Sequence, residues 1–176
     1  MSRSSESYGA LIEPTTLKLQ RLLPGTVDRV WNYLTKSDLR RKWLAAGEMV
    51  LEPGAPFELT WRNDELTTPP GHRPDGFASV QSMASRIIEI DTPRRLVIGW
   101  GSEGEVTFEL APAGERVLLT IIHRRLVDRG SRLNVSAGWH AHVDILEATL
   151  AGEGPAPFWD NWVSLKGDYD RLLPPA

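Results

Sequence analysis

Several short tracts of the chain alternate hydrophobic with polar residues, which is the pattern of half-buried β-strands. Residues 15–23 show it first, with Leu17 and Leu19 on the same face. Similar tracts predict six further strands at residues 49–51, 57–61, 80–90, 96–100, 106–110 and 117–123. The connections between the last strands are short and glycine-rich, which favours an antiparallel meander.

Helical spacing appears directly after the first strand. Thr26 is placed to cap a helix whose apolar residues are Val27, Val30, Trp31 and Leu34. A second short helix is predicted over residues 37–44, with a basic outer face formed by Arg40, Arg41 and Lys42. Both helices precede most of the sheet.

A longer helix is predicted to begin at Gly138, to break at residues 152–157 and to resume through residues 158–169. At about 100° per residue, four apolar side chains fall within roughly 60° of one another. These are Trp139, Val143, Leu146 and Leu150.

The opposite side of this helix is polar and is predicted to face solvent. It carries His140, Asp144 and Glu147, whereas His142 borders the apolar face. A long apolar helix that follows a sheet must be covered by that sheet. The pattern therefore predicts an α+β fold, in which a curved antiparallel sheet wraps around the C-terminal helix and leaves an interior able to hold a ligand.

The chain length of 176 residues predicts one domain, which buries roughly 70% of its unfolded surface. Residues 1–12 are polar, and we expect a flexible N-terminus there, followed by a single domain over residues 13–174. Between the strands, residues 62–76 form a long proline-rich stretch. Such a loop either covers a site or is mobile.

Charge and cysteine content narrow the classes of function. The net charge of -3 comes from 20 basic and 23 acidic residues that are interspersed, which argues against nucleic-acid binding. No apolar run approaches the roughly 20 residues of a membrane span, and the N-terminus lacks the apolar region of a signal peptide. With no cysteine, a disulfide, a thiolate nucleophile and a cysteine-ligated metal are excluded. We expect a cytoplasmic protein.

Strand periodicity predicts which side chains face the interior, since successive residues point to opposite faces. His123 shares its face with the aliphatic residues of the last strand, and Trp61 and Trp100 share theirs with apolar neighbours. A few polar groups in an apolar concavity are typical of small-molecule sites. The predicted ligand-binding residues are therefore Trp61, Trp100, His123, Trp139 and His142, and the predicted ligand is a small hydrophobic or aromatic molecule.

Motifs of common catalytic sites are absent from the sequence. It contains no nucleophile elbow, phosphate-binding loop or zinc-protease helix. His140 and His142 are two residues apart, so on a helix their side chains point about 200° apart and do not share one ion. We therefore expect neither a metal nor a cofactor.

The order of these segments resembles the START-like, or SRPBCC, superfamily, over roughly residues 14–173. The branch it is most similar to is named after the C-terminal domain of the activator of the ninety-kilodalton heat-shock protein ATPase. The residues that carry the resemblance are Val30-Trp31, Arg41-Lys42-Trp43-Leu44, the segments 93–100, 107–110 and 119–123, Gly138-Trp139, Leu146 and Leu150-Ala151-Gly152.

The resemblance implies a helix-grip fold, with two short helices closing one end of the sheet. It also implies a range of functions, because the superfamily includes lipid and hormone carriers and aromatase/cyclases. It supplies no universal set of catalytic residues. Pairing of two copies is compatible with it, since START-like domains often pair through surface strands or loops.

Two alternatives to ligand binding remain open at this point. One is an enzyme of cyclase or hydrolase type, with His123 or His142 as the general acid–base; it requires one of them to face an open cavity. The other is an interaction protein that regulates a chaperone ATPase through a surface such as the basic second helix.

Overall fold

The structure, a computed structural model, describes residues 5–175. Its strands are β1 Ala10–Glu13, β2 Thr16–Pro24, β3 Pro56–Trp61, β4 Gln81–Asp91, β5 Arg95–Trp100, β6 Gly104–Ala113 and β7 Arg116–Arg124. Its helices are α1 Val27–Thr35, α2 Ser37–Arg40, α3 Arg129–Ala151 and α4 Phe158–Leu172.

The seven strands form one antiparallel sheet in the order β1-β2-β7-β6-β5-β4-β3. The chain therefore makes a meander from β3 to β7, and β2 then closes onto β7, with Leu17 opposite His123. The curved sheet wraps around α3, while α1 and α2 connect β2 to β3. The predicted α+β helix-grip fold is confirmed.

The apolar face of α3 packs against the sheet as predicted. Trp139, Val143, Leu146 and Leu150 are all buried. The predicted break is confirmed too: the helix ends at Gly152, whose φ of 73° is in the left-handed region that favours glycine. The chain resumes as a helix at Phe158.

The other face of α3 is only partly solvated, and the prediction for His140 was wrong. This side chain is only 1% exposed, because α4 and the segment before β1 cover it. Its Nδ1 lies 2.9 Å from the Tyr169 hydroxyl. Asp144 and Glu147 are partly covered as well, and both accept from the buried Arg21 of β2. Helix α3 is thus the middle layer of the molecule.

Two boundaries also differ from the sequence-based expectation. Helix α3 begins at Arg129 rather than at Gly138, because the Asp128 carboxylate accepts from the Ser131 N–H at 2.7 Å and caps it. Residues 49–51 form no strand; they lie in the irregular connection between α2 and β3, with Val50 exposed.

One of the three cations of the predicted basic face around α2 is not at the surface, since Arg40 is only 2% exposed. Its guanidinium donates to the carbonyl oxygens of Leu34, Ala45 and Gly47. Burial lowers its pKa to about 10, which still leaves it charged at neutral pH. Arg40 therefore holds together the end of α1 and the turn after α2.

Residues 5–13, most of which were assigned to a flexible terminus, form a 3-10 turn at Ser5–Ser7 and strand β1. The Gly9 N–H donates to the Tyr169 hydroxyl of α4 at 2.7 Å, and the Tyr8 hydroxyl donates to Asp168. Residues 1–4 lie outside the described part of the chain. The division into a terminus and one domain stays a prediction.

Among the described residues, no helix is long and apolar enough to cross a membrane.

Candidate functional site

A cavity of about 460 Å³ lies between α3, α4 and the end of the sheet that carries β3 and β4. This volume is within the range of about 300–1,000 Å³ that is usual for small-molecule sites. Seven aromatic side chains line it, including five of the seven tryptophans: Trp61, Phe77, Trp100, Trp139, Phe158, Trp159 and Trp162. The lining is therefore predominantly aromatic.

The sheet and α3 position three of these rings. Trp61 ends β3 and Trp100 ends β5, and their ring centroids are 5.4 Å apart in an edge-to-face arrangement. Trp100 in turn lies 5.3 Å from Trp139 of α3. Such contacts fix the rings against one another, so they form a continuous wall on one side of the cavity.

His123 lies behind this wall and is not among the residues that line the cavity. It is 1% exposed, and its Nδ1 accepts a hydrogen bond of 2.9 Å from the Trp139 indole N–H. Its ring packs edge-to-face on Trp100. Burial lowers its pKa to about 4, so it is neutral at pH 7. His123 thus positions Trp100 and Trp139.

His142 does line the cavity. Its Nδ1 is 2.7 Å from the Trp43 carbonyl oxygen, and since a carbonyl only accepts, Nδ1 carries the proton. Burial lowers the pKa of His142 to about 4, against the smaller effect of that hydrogen bond. The ring also packs 4.8 Å from Phe158. The structure thus brings together Trp61, Trp100, Trp139 and His142 at one cavity.

The remaining polar groups of the lining are uncharged. The amide oxygens of Asn63 and Asn134 are buried and have no hydrogen-bond partner in the described part of the chain. Ser79, Gln81 and Ser82 lie on the more exposed side, at the start of β4. Among the described residues that line the cavity, none is Asp, Glu, Lys or Arg.

The long loop at residues 62–80 covers the cavity and binds the start of α4. The Thr67 hydroxyl accepts from the Phe158 N–H at 3.0 Å, and the Pro70 carbonyl accepts from the Trp159 N–H at 3.0 Å. The Asp64 carboxylate accepts from the Trp159 indole. Phe77 packs against Trp159 and Trp162. The N-cap residue of α4, Pro157, provides no side-chain acceptor. The loop therefore supplies the acceptors for the first N–H groups of this helix.

Some lining residues were not among the predicted ligand-binding residues, namely Asn63, Phe77, Asn134, Phe158, Trp159 and Trp162. The apolar spacing of residues 158–162 was the available signal, because it required a buried face on α4. The two asparagines gave no signal, since each lies in a polar stretch.

The two neighbouring histidines of α3 have separate partners. His140 contacts Tyr169 on the α4 side, and His142 contacts Trp43 on the other. No group of three or more His, Asp or Glu side chains placed to hold a metal occurs within residues 5–175.

A protein-family model described as "Activator of Hsp90 ATPase homolog 1-like protein" matches residues 24–151. None of the curated proteins matches the chain. Among solved structures, the chain is similar to a protein from Bordetella parapertussis determined by NMR in solution. The two are 38% identical, with a TM-score of 0.78, over 96% of this chain and 92% of that one.

Two more distant structures share the fold. CalU16 from Micromonospora echinospora is 20% identical, with a TM-score of 0.64, over 89% of this chain and 87% of that one. DynU16, described as a protein in the dynemicin biosynthetic locus, is 18% identical, with a TM-score of 0.62. The match covers 82% of this chain and 51% of DynU16.

Proposed function

Since the chain belongs to the family of Activator of Hsp90 ATPase homolog 1-like proteins, within the START-like superfamily, we propose that it binds a small hydrophobic or aromatic molecule. The site is the cavity between the sheet and α3. One observation carries this proposal: seven aromatic side chains surround about 460 Å³ of space that the protein leaves unfilled. The cavity opens to solvent beside Ser79, Gln81 and Ser82, and a concavity of this size with a mainly aromatic lining supports a ligand site.

Binding is better supported than catalysis. An enzyme of cyclase or hydrolase type would need His123 or His142 as its general acid–base. His123 accepts from an indole and His142 donates to a backbone carbonyl. Burial lowers the pKa of both to about 4, so at neutral pH neither is an imidazolium that can act as a general acid, and both are weak bases.

Regulation of a chaperone ATPase receives less support from the surface that was expected to mediate it. Arg40 is buried, which leaves Arg41 and Lys42 as the exposed cations of the predicted basic face. A pair of exposed cations is common on protein surfaces and does not define a partner. Pairing of two copies and a cytoplasmic location stay predictions.

Two glycines in helices allow a matched test. At Gly138 of α3, which lines the cavity, an added Cβ would meet one atom within 4 Å, the Trp162 Nε1 at 3.9 Å. At Gly167 of α4 the corresponding atom is the Arg171 guanidinium at 3.9 Å, away from the cavity. Gly138→Leu therefore places a side chain in the cavity, whereas Gly167→Leu makes the same change outside it.

The experiment is titration with the neutral fluorescent probe N-phenyl-1-naphthylamine. We expect saturable binding by the wild type and by Gly167→Leu, and at least tenfold weaker binding by Gly138→Leu. Circular dichroism checks that both variants are folded, and leucine favours a helix more than glycine by roughly 0.5–1 kcal/mol. The proposal fails if the wild type does not bind the probe, or if all three proteins bind it equally.

A further inference from the structure

The hydrogen-bonding groups of the cavity differ in what they offer a ligand. Those placed deepest are His142, Asn63 and Asn134, since the serines and Gln81 of β4 lie on the exposed side. A charged ligand would find no opposite charge among the described lining residues, and an unpaired charge in an apolar cavity is costly. The cavity therefore selects for neutral molecules.

The side chain of His142 makes one hydrogen bond to the described part of the chain, and that bond sets its tautomer. Because Nδ1–H donates to the Trp43 carbonyl, the neutral ring has its lone pair on Nε2. Nε2 is separated from Nδ1 by the ring carbon Cε1, so it cannot reach the same carbonyl, and it has no hydrogen-bond partner among the described residues. His142 lines the cavity, so it offers the ligand an acceptor and no donor.

The two asparagines add to this pattern. Their amide oxygens are buried at the cavity and have no hydrogen-bond partner within residues 5–175. A buried acceptor that has lost its hydrogen bond to water and has formed no other is unfavourable. A ligand that donates a hydrogen bond to it is therefore favoured over one that does not. What an asparagine offers a ligand depends on whether its amide presents the oxygen or the nitrogen. What His142 offers does not, because the Trp43 carbonyl fixes its tautomer.

We propose that the cavity takes a neutral, flat aromatic molecule bearing a hydroxyl group, and that His142 Nε2 accepts the hydrogen bond from that hydroxyl. The proposal rests on the proposed function and adds to it a class of ligand and a residue that determines specificity. The flat shape follows from the wall formed by Trp61, Trp100 and Trp139, which presents ring faces and edges to the cavity.

The test compares ligands that differ in one group. Isothermal titration calorimetry at pH 7 measures binding of 2-naphthol, of its methyl ether 2-methoxynaphthalene and of the anion 2-naphthoate. We expect 2-naphthol to bind about tenfold more tightly than the ether, as one hydrogen bond allows, and 2-naphthoate to bind more weakly than 2-naphthol.

His142→Phe keeps a flat ring and removes the acceptor, and we expect it to reduce the tenfold preference to about one. The matched control is His72→Phe, which changes an exposed histidine outside the cavity and should keep the preference. Equal binding of 2-naphthol and its ether by the wild type overturns this proposal but leaves the proposed function standing. Failure of all three probes to bind overturns both.

A preference that persists in His142→Phe also overturns the assignment, since another group would then be the acceptor. If that variant does not fold, the nitrogen resonances of His142 in the wild type decide the question. We expect 2-naphthol to shift the resonance of the unprotonated Nε2, and the ether to leave it in place. An unchanged Nε2 resonance in saturating 2-naphthol refutes the hydrogen bond.

Discussion

Lowering the pH from 7 to 5 should destabilise the protein through His123 and His142. Both are buried, at 1% and 6% exposure, and both are neutral in the folded state. Burial lowers their pKa values from 6.5 to about 4. Among the described residues, His123 has no carboxylate partner that would offset the cost of a buried positive charge, and the hydrogen-bond partner of His142 is the Trp43 carbonyl.

The unfolded chain takes up a proton at each histidine as the pH falls through 6.5, whereas the folded protein does so only near pH 4. The stabilisation from these two groups is therefore present above pH 6.5 and is lost as the pH falls toward 4. Between pH 7 and pH 5 each histidine should lower the free energy of unfolding by about 2 kcal/mol, and the two together by about 4 kcal/mol. This is a large share of the roughly 5–15 kcal/mol that stabilises a typical domain.

Urea unfolding at pH 7, 6 and 5, followed by tryptophan fluorescence, measures this change. Carboxylates contribute little in this range, because their usual pKa values are near 4. His123→Gln serves as the matched variant, since its amide oxygen can still accept from the Trp139 indole. We expect it to remove about half of the pH dependence.

Two results would refute this reasoning. One is a free energy of unfolding at pH 5 that is within about 1 kcal/mol of the value at pH 7, given the expected loss of about 4 kcal/mol. The other is a pH dependence in His123→Gln that equals that of the wild type.

Two further predictions concern the hydrogen bonds made by Arg40 and Thr67. Arg40→Met leaves three carbonyl oxygens without their donor and should lower the free energy of unfolding by about 3–5 kcal/mol in urea; Arg41→Met, at an exposed position, should change it by less than about 0.5 kcal/mol. Equal effects would contradict the role of Arg40. Thr67→Val removes the acceptor of the Phe158 N–H and should cost about 1 kcal/mol. Faster hydrogen exchange of that amide is the direct measurement, and unchanged exchange would show that the loop does not cap α4.

Much of the fold could be predicted from the sequence because hydrophobic residues recur with a clear period in its strands and helices. The inward face of α3 and the burial of His123 follow from spacing alone. His140 shows where this reasoning stops: it was expected to be solvated together with the rest of the polar face of α3, yet α4 covers this side chain. Helical periodicity identifies the apolar face of a helix. It does not show that a second element will pack on the polar face and form ion pairs and hydrogen bonds with it.

The lining of the cavity could be predicted in part, for a related reason. Strand periodicity pointed to Trp61 and Trp100, and helical spacing pointed to Trp139. The tautomer of His142 depends on the Trp43 carbonyl, which is 99 residues away in sequence. Likewise, the loop at residues 62–80 forms a cover only because α4 provides N–H groups to its hydroxyl and carbonyl oxygens. Both contacts join residues that are far apart in the sequence, so the hydrophobic pattern of a short segment cannot predict them.

The place of β2 in the sheet has a consequence for the order in which the chain can fold. Gln20 of β2 donates to Thr120 of β7 across 100 residues of sequence. At about 5–20 residues per second, a ribosome needs about 5–20 s to synthesise that interval. Throughout this time Leu17, Leu19 and Leu23 have no partner strand on the β7 side, and unpaired apolar strands are prone to aggregate. The nascent chain therefore depends on slow, non-local closure, and its first long strand is its most vulnerable segment during synthesis.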